Sequence, residues 1–413
     1  MGLQFFSILA TLIIFLNTLG NIHAKSEATE TLNQRHGKQL SIFQVIRFNN
    51  GPCNGTQSMP GTCYTSQECS TRRGVSIGSC ANGFGVCCSF TISCGGTTSE
   101  NTTIFNDENI PSGMGTCTAT ICPAGNDICQ LRLDFDQFQI AGPSTVSLSV
   151  TKLVNGNPSA AANAIPNAIL GQCITDQFQV TSGSGVTPPV ICGINTNQHV
   201  FVDADADCNM LMFQLGQGAV SRSFQIRVTQ YACTSPNLAP SGCTQYFTSD
   251  TGTGMVQSFN FGNGHLADQD QVMCVRRNQN SCRICWTTVL DTDFDVSGTA
   301  SSGMGASTTA RFCCGSNTVG TAVGNAGGYD CLSLPFAESK MGNMNVQSRF
   351  CGRNAGLSSS AMSSLTVCSR ASPFRVAFRS NAFEVSDMTL PNTEAKNVDK
   401  GVRLVYFQDS VMC

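Results

Sequence analysis

Short segments in which hydrophobic and polar residues alternate recur along the chain. In residues 130–136, Leu131, Leu133 and Phe135 alternate with arginine and aspartate, and this period of two is that of a β-strand with one buried face. The same alternation appears in three later segments, residues 224–230, 374–378 and 402–407. Turn-forming residues separate the segments and no clear helical period appears, so the pattern predicts an all-β fold of antiparallel β-sandwiches.

The chain begins with a segment of different character. Residues 1–24 carry a mostly apolar run and end on a small residue, Ala24, which predicts a signal peptide, followed by a flexible polar arm at 25–42. A membrane anchor is the alternative, and it is disfavoured because Asn17 and Gly20 interrupt a run that is already short for a span. No later run is long enough to span a membrane, so we expect a secreted, extracellular protein.

Cysteine content and charge narrow the class of protein. The chain has 24 cysteines, and after a signal peptide an even number predicts a complete set of disulfides. Charge is balanced, with 23 Lys+Arg against 26 Asp+Glu, and no basic cluster appears. This balance disfavours a nucleic-acid partner.

The first six cysteines are closely spaced. They follow the pattern C-x9-C-x5-C-x10-C-x6-C-C, with so few apolar residues between them that the segment needs cross-links to fold. The spacing and the ending GFGVCC resemble the clip domain of arthropod serine proteases, although the protease that usually accompanies a clip domain is missing. The resemblance implies a module at 43–90 with the bridges Cys53–Cys87, Cys63–Cys80 and Cys69–Cys88.

Two later stretches, residues 94–233 and 243–413, share a cysteine skeleton. Each opens with a cysteine pair, contains a cysteine followed at a similar distance by Cys-Gly, and ends with a pair that brackets its last strands. This self-similarity predicts two copies of one module, each of ordinary domain size.

The phrases CGG, LRLDFDQF, CITDQFQV and FQIRVTQ resemble a CUB domain, which is a jelly-roll β-sandwich of extracellular proteins. The chain as a whole is similar to secreted arthropod proteins in which two CUB-like modules follow a clip-like knot. The resemblance implies the bridges Cys94–Cys117, Cys173–Cys192, Cys243–Cys274 and Cys331–Cys351.

The remaining cysteines are assigned by spacing. Spacing favours the pairs Cys122–Cys129, Cys208–Cys233 and Cys368–Cys413. A last group would close among themselves, with the partners left open: Cys282, Cys285, Cys313 and Cys314. A four-thiolate zinc site is the alternative for that group, and an oxidising compartment disfavours it.

Candidate metal ligands are few. Many CUB domains bind calcium through three acidic residues, and by resemblance Asp176 stands at one of these positions. The other two positions fall near Ala141 and Gly216 and are not acidic, and Leu334 stands at the matching aspartate position of the second module. Because calcium takes several oxygen ligands, we expect neither bound calcium nor another cofactor.

Two acidic runs are weaker candidates for a cation site. Aspartates alternate with other residues at Asp203, Asp205 and Asp207, and again at Asp291, Asp293 and Asp295. On a strand each set would share one face. A solvated strand face or loop is the favoured interpretation.

The sequence offers little for catalysis. Only His36, His199 and His265 follow the signal peptide, and neither an HExxH nor a GxSxG motif is present. We therefore predict a protein that is not an enzyme. The single tryptophan, Trp286, lies in an apolar strand and is expected in the core.

Asn54 and Asn101 begin N-x-T sequons and are predicted glycosylation sites. Taken together, the sequence predicts a secreted, non-enzymatic binding protein whose ligand is an extracellular protein or a glycan. By resemblance, the clip-like module implies a link to immune or developmental protease cascades. The alternative is a structural component of an extracellular matrix or cuticle lining.

Overall fold

The structure is a computed structural model. It describes residues 47–48, 50–145, 171–182, 187–204, 206–218, 221–296, 314, 330–340, 348–350, 366–380 and 400–410. The predicted signal peptide and N-terminal arm lie outside these ranges. Within them the fold is almost entirely β, which confirms the predicted all-β class, and none of the helices is long and apolar enough to cross a membrane.

An N-terminal knot opens the described chain. Its strands are β1 (Pro52–Asn54), β2 (Pro60–Tyr64), β3 (Val75–Cys80) and β4 (Gly85–Ile92), with the helix α1 (Ser66–Thr71) between β2 and β3. Thr65 begins the helix with a capping box, in which its side chain and that of Glu68 each accept a hydrogen bond from the other residue's backbone N–H. The knot has the three bridges that the clip resemblance implies, Cys53–Cys87, Cys63–Cys80 and Cys69–Cys88.

The knot continues directly into the first sandwich. After its pairing with β2 and β3, β4 runs on and pairs in parallel with β6 (Thr103–Asn106), so Phe90 lies opposite Thr103. The resulting sheet begins with β1, β2, β4 and β6 in that order, and β3 pairs with β4 beside this path. It continues through β12 (Ser223–Ala232) and β8 (Ile128–Gln139) to β10 (His199–Asp203). Because one sheet runs through both modules, no flexible linker separates them.

The first sandwich packs two sheets against each other. One contains β6 with β8 (Ile128–Gln139), β10 (His199–Asp203) and β12 (Ser223–Ala232), and the other contains β5 (Gly96–Thr98), β7 (Gly115–Ile121), β9 (Asp176–Thr181) and β11 (Asn209–Leu215). The alternating residues of β8 point Leu131, Leu133 and Phe135 into the core, as the sequence predicts. Aromatic rings fill this core, and the rings of Phe213 and Phe224 stack with centroids 4.1 Å apart.

The second sandwich has the same two-layer plan. One sheet contains β13 (Gln245–Phe247), β15 (Asp270–Val275), β18 (Cys331–Ser333), β20 (Arg349–Phe350) and β22 (Phe374–Arg379). The other contains β14 (Thr253–Gln257), β16 (Arg283–Thr287), β19 (Ala337–Ser339), β21 (Val367–Ser369) and β23 (Gly401–Asp409), and β17 (Phe294–Asp295) pairs with β23. Trp286 is fully buried beside Tyr406 in the core between the sheets, as predicted.

Three further disulfides have the pairing that the CUB resemblance implies. They are Cys94–Cys117, Cys173–Cys192 and Cys243–Cys274. The pairs assigned from spacing alone are different in the structure.

In the first sandwich the structure joins Cys122 to Cys208 and Cys129 to Cys233, so the predicted pairs Cys122–Cys129 and Cys208–Cys233 are wrong. The reason is strand pairing. β7 and β11 are antiparallel neighbours, and their register brings the residue after β7 beside the residue before β11. In the same way, β8 and β12 bring Cys129 beside Cys233.

In the second sandwich Cys285 bonds to Cys368, so the predicted pair Cys368–Cys413 is wrong. The two residues are direct partners in the antiparallel register of β16 and β21, with their Cα atoms 3.9 Å apart. Cys413 lies outside the described residues. Since Cys285 is bonded across the sheet, the predicted closure among Cys282, Cys285, Cys313 and Cys314 is wrong as well.

Cys314 bonds to Cys331, which also departs from the predicted pairing. A cysteine forms a single disulfide, so Cys331 is not available to Cys351, which lies outside the described residues. Cys282 is disulfide-bonded too. With Cys285 and Cys314 in two separate disulfides, the four-thiolate zinc alternative does not apply.

A shared hydrophobic core joins the two sandwiches. Phe259 and Leu266 lie between β14 and β15 of the second sandwich, yet each is only 1% exposed and packs into the core of the first. The backbone connects them as well, because the N–H of Phe201 donates to the carbonyl of Thr244 at 2.8 Å. The second sandwich therefore supplies part of the hydrophobic core of the first.

Buried polar side chains also connect the two sandwiches at this contact, which we call the junction. Gln271 Nε2 donates to Gln245 Oε1 at 2.8 Å, and Gln245 Nε2 donates to Gln198 Oε1 at 3.3 Å. The backbone N–H of Asn260 donates to Asn195 Oδ1 at 2.7 Å. Because buried amides cost free energy when they lose their partners, this network fixes the orientation of one sandwich against the other.

Candidate functional site

The predicted calcium candidate Asp176 lies in a buried ion pair. Its side chain is 0% exposed and that of Arg222 is 5% exposed. Arg222 donates to both carboxylate oxygens, from Nε to Oδ2 and from Nη2 to Oδ1, each at 2.8 Å. The backbone N–H groups of Ala141 and Gly216 donate to the same carboxylate at 2.9 and 3.1 Å.

These donors decide what Asp176 can bind. Burial on its own would raise the pKa of Asp176, but the hydrogen bonds from Arg222, Ala141 and Gly216 outweigh it, and the pKa is lowered. At the two positions where acidic residues would be needed, Ala141 and Gly216 present N–H donors, and the guanidinium fills the space before the carboxylate. Asp176 is therefore a structural anion, and its candidacy as a metal ligand is withdrawn.

Two aspartates at the end of β10 and just after it lie at the surface. Asp203 and Asp207 are exposed, and Gln130 Nε2 donates to Asp203 at 3.4 Å. Asp205 lies outside the described residues. Across the described part of the chain, no three His, Cys, Asp or Glu side chains are grouped so that they could hold a metal ion.

The second acidic run does not form a strand face. Asp291–Asp293 is a single 3-10 turn, and only Phe294–Asp295 is extended. Arg403 Nη2 donates to Asp293 at 2.7 Å, and the backbone N–H of Lys400 donates to Asp295 at 3.4 Å. Asp293 and Asp295 thus have separate partners, which does not support a shared cation.

Both described histidines are buried. His199 is 5% exposed, and its Nε2 lies 3.0 Å from both the backbone N and the backbone O of Tyr246, across the junction. Burial, together with the charge of Arg132, lowers the pKa of His199 to about 3, so the ring is neutral at physiological pH. His265 Nε2 lies 2.9 Å from Asp330 Oδ2, and both side chains are buried. Because both rings are buried, neither is open to a substrate. His36 lies outside the described residues.

A charged surface lies next to the junction. We call it the junction face and define it by Arg132, Asp134, Asp136, Arg227 and Tyr231 on the outer side of β8 and β12. These residues point outward because their neighbours Leu131, Leu133, Ile226 and Val228 fill the core. The second sandwich covers the edge strand β10, which pairs with β8. The junction face on β8 and β12 therefore lies next to the junction.

Ion pairs hold the side chains of the junction face in place. Arg132 Nη2 lies 2.8 Å from Asp134, and Arg227 lies 3.4 Å from Asp134 and 2.9 Å from Asp136. The Arg132 guanidinium also lies over the ring of Phe201, 5.6 Å from its centroid. All four charged side chains are between 14% and 33% exposed, so they are paired with one another and still partly open to solvent.

A small cleft adjoins this face at the boundary between the sandwiches. The first sandwich lines it with Gln130, Phe201 and Asp203, and the second lines it with Gly242 and Thr244. Since both modules contribute walls, the shape of the cleft depends on the fixed junction.

Sequence reasoning missed the junction face. Outward charges at alternate positions of β8 look like those of any solvated strand, and the periodicity does not show which strand a second module covers. One signal was present in the phrase HLADQDQVMCVRR, residues 265–277, which contains the glutamines Gln269 and Gln271. Gln271 proved to be a member of the buried network.

The two predicted glycosylation sites have different environments. Asn54 ends β1 and is exposed. Asn101 is half-buried, and its side-chain amide bonds to the backbone of Gln230 in β12.

Comparison with known proteins finds a family match for one part of the chain. Residues 240–409 match the family model of the animal CUB domain. The second sandwich is similar to a CUB domain. CUB domains are non-catalytic modules that mediate protein–protein interactions in extracellular proteins.

Other comparisons add little. No curated protein matches the sequence. Among solved structures, the CUB1-EGF-CUB2 domains of rat MASP-1 are 11% identical, with 77% of this chain and 99% of that chain covered and a TM-score of 0.22. The CUB1-EGF-CUB2 domain of human MASP-1/3 is 12% identical, with 74% and 98% covered and a TM-score of 0.22.

A third structure is the full extracellular region of zebrafish Gpr126/Adgrg6. It is 11% identical, with 79% of this chain and 34% of that chain covered and a TM-score of 0.22.

Proposed function

We propose that the protein is a secreted, non-enzymatic interaction protein whose partner is another extracellular protein, bound at the junction face. The observation that carries the proposal is the buried junction, which combines two sandwiches into one surface with paired, partly exposed charges. The CUB similarity of residues 240–409 supports an interaction role. The disulfide density supports an oxidising, extracellular location.

In this proposal the chain has two CUB-like modules. The first sandwich is the CUB-like module at 94–233, which follows a clip-like knot at 43–90 and precedes the module at 243–413. Its two-layer plan and the bridges Cys94–Cys117 and Cys173–Cys192 support this assignment. The three bridges of the knot have the pairing that the clip resemblance implies, and this supports the resemblance to arthropod proteins and a link to immune or developmental protease cascades.

The chemistry of the junction face favours a protein over a glycan as the partner. Its charges are of both signs and are paired with each other, as is common at the rim of protein interfaces. An anionic glycan would need an excess of positive charge, and a neutral sugar would need an open aromatic ring. Tyr231 stacks instead on Phe201, with centroids 6.0 Å apart.

Partner capture tests the proposal. The oxidised protein is immobilised and exposed to extracellular fluid of the source animal, beside a variant with Arg132→Ala and Arg227→Ala. We expect a saturable protein partner that the wild type retains and the double variant loses by about tenfold or more.

The matched control is Arg73→Ala, which removes an exposed arginine from the knot. It should leave capture unchanged, and loss of capture there would move the binding site to the knot. Release of the partner by glycosidase treatment would identify a glycan as the ligand. Recovery of the protein only in insoluble matrix would favour the structural role in an extracellular matrix or cuticle lining.

A further inference from the structure

The two N-x-T sequons share one chemical requirement. In N-glycosylation the side-chain amide nitrogen of asparagine attacks the anomeric carbon of a lipid-linked oligosaccharide diphosphate. A nitrogen–carbon bond forms, the carbon–oxygen bond to the diphosphate breaks, and the lipid diphosphate leaves with the electron pair. One amide proton is lost, no group is oxidised or reduced, and the nitrogen keeps one N–H. The folded protein must then accommodate a sugar on that nitrogen.

Asn101 extends a β-ladder with its side chain. β6 and β12 pair up to Thr103 and Val228, and two residues beyond this point Asn101 meets Gln230. Here Asn101 Nδ2 donates to the carbonyl of Gln230 at 3.0 Å, and the N–H of Gln230 donates to Asn101 Oδ1 at 2.8 Å. The side-chain amide thus makes the two hydrogen bonds that a strand backbone would make.

This pairing uses the hydrogen that a glycan replaces. Since Oδ1 and Nδ2 of Asn101 both bond to one residue, the donated hydrogen lies on the carbonyl side of the amide. A substituted amide keeps the trans form, which places the sugar carbon on that same side. The sugar would therefore stand where the carbonyl oxygen of Gln230 now lies, 3.0 Å from Nδ2.

The rest of the Asn101 sequon is also part of the fold. Thr103 is 0% exposed, and its hydroxyl donates to the carbonyl of Glu100 at 2.9 Å. A second hydrogen bond, 3.3 Å long, joins the hydroxyls of Thr98 and Thr103. Asn101 thus bonds to β12, whereas Thr103 bonds to β5 and to the loop between β5 and β6, so both polar residues of this sequon already have partners within the fold.

The Asn54 sequon has the opposite character. Asn54 and Thr56 are both exposed, at the end of β1 and in the 3-10 turn that follows. Within the described residues no hydrogen bond of the Asn54 side chain is found. An oligosaccharide on its nitrogen would project into solvent and displace no contact of the fold.

We propose that the folded protein carries an N-linked oligosaccharide at Asn54 and that Asn101 remains unmodified as a strand-extending side chain. This inference rests on the entry of the chain into the secretory pathway, which the proposed function includes. It does not depend on the partner or on the junction face.

Site mapping on the full chain, secreted from animal cells with its own leader, tests the inference. An amidase that releases N-glycans leaves an aspartate at each occupied site, and peptide mass spectrometry in heavy-oxygen water then reads Asn54 and Asn101 separately. We expect conversion at Asn54 alone. A glycan on Asn101 in soluble monomer, or an unmodified Asn54, overturns the inference.

Two matched variants sharpen the test. Thr56→Ala removes the first sequon and keeps Asn54, and it should lose the whole glycan mass shift. Asn101→Asp removes the second sequon and should lose none of that shift, while the thermal midpoint falls because the Gln230 carbonyl loses its donor. If Asn101→Asp does not fold, the wild-type map decides alone. Partner capture can fail while the map succeeds, so the two proposals are tested separately.

Discussion

At the scale of single residues, buried charges are neutralised within the fold. Asp176 accepts four hydrogen bonds, two of them from Arg222. Its position after Cys173 could be found from the sequence, but its partner could not, because Arg222 is 46 residues away along the chain and meets Asp176 only in the folded sandwich. The sequence motif located the Asp176 carboxylate, and only the structure showed that Arg222 is its cationic partner.

Removal of Arg222 should be costly. Arg222→Met leaves Asp176 buried without its charged partner, and we expect a loss of about 3–5 kcal/mol in the free energy of unfolding. Denaturant unfolding of the oxidised protein at neutral pH measures it. A double variant with Asp176→Leu and Arg222→Met removes both charges and should recover most of the loss. A single variant within about 0.5 kcal/mol of wild type would contradict the account.

His199 makes stability depend on pH. Its folded pKa of about 3 lies below the ordinary value of 6.5, so the unfolded chain binds a proton first as the pH falls. The stabilisation is present above pH 6.5 and is lost between pH 6.5 and about 3, by about 1.4 kcal/mol per pH unit.

Denaturant midpoints across this range, compared with His199→Gln, isolate the effect of the imidazole. Other groups titrate in both proteins, whereas the variant lacks the imidazole. We expect the wild type to lose stability more steeply than the variant below pH 6.5. Parallel curves would show that His199 does not titrate in this way.

At the scale of elements, strand periodicity was readable from sequence and strand partnership was not. Segments such as 130–136 and 402–407 became parts of β8 and β23, because a period of two is local information. The partners of Cys122 and Cys368 depend on which strands pair across the sheet, in bridges 86 and 83 residues apart in sequence. Spacing favours near neighbours and gave the wrong partners for both.

Thiol trapping tests the strand-dictated disulfides. In Cys122→Ala the partner left without a bond should be Cys208, because β7 and β11 hold those two positions together. Alkylation of the folded variant without reduction, followed by peptide mass spectrometry, reads the free thiol. Cys129→Ala is the matched variant and should label Cys233. Labelling of Cys129 in the first variant would restore the pairing predicted from spacing.

At the scale of the whole molecule, the junction makes the sandwiches interdependent. The CUB match covers residues 240–409, yet Phe259 and Leu266 within that range complete the core of the first sandwich. A match of one module therefore does not mark a unit that is complete by itself. The sequence predicted two modules. It did not predict that residues of the second module pack into the core of the first, because an apolar residue does not reveal which core it enters.

Truncation at the junction should weaken both sandwiches together. Phe259→Ala removes a ring that is 1% exposed, and we expect a loss of about 3–5 kcal/mol in the free energy of unfolding. Phe336→Ala is the matched control, since that ring is 81% exposed and should change stability by less than about 0.5 kcal/mol. Equal effects of the two substitutions would contradict the shared core.

The two sandwiches form one body with a fixed surface at their junction. Scanning calorimetry of the oxidised, full-length protein measures whether they unfold together. We expect one transition for both sandwiches, with equal calorimetric and van't Hoff enthalpies, shifted as a whole to lower temperature by Phe259→Ala. Two separate transitions, with only one of them moved by the substitution, would show that the sandwiches are independent and that the junction face is not fixed.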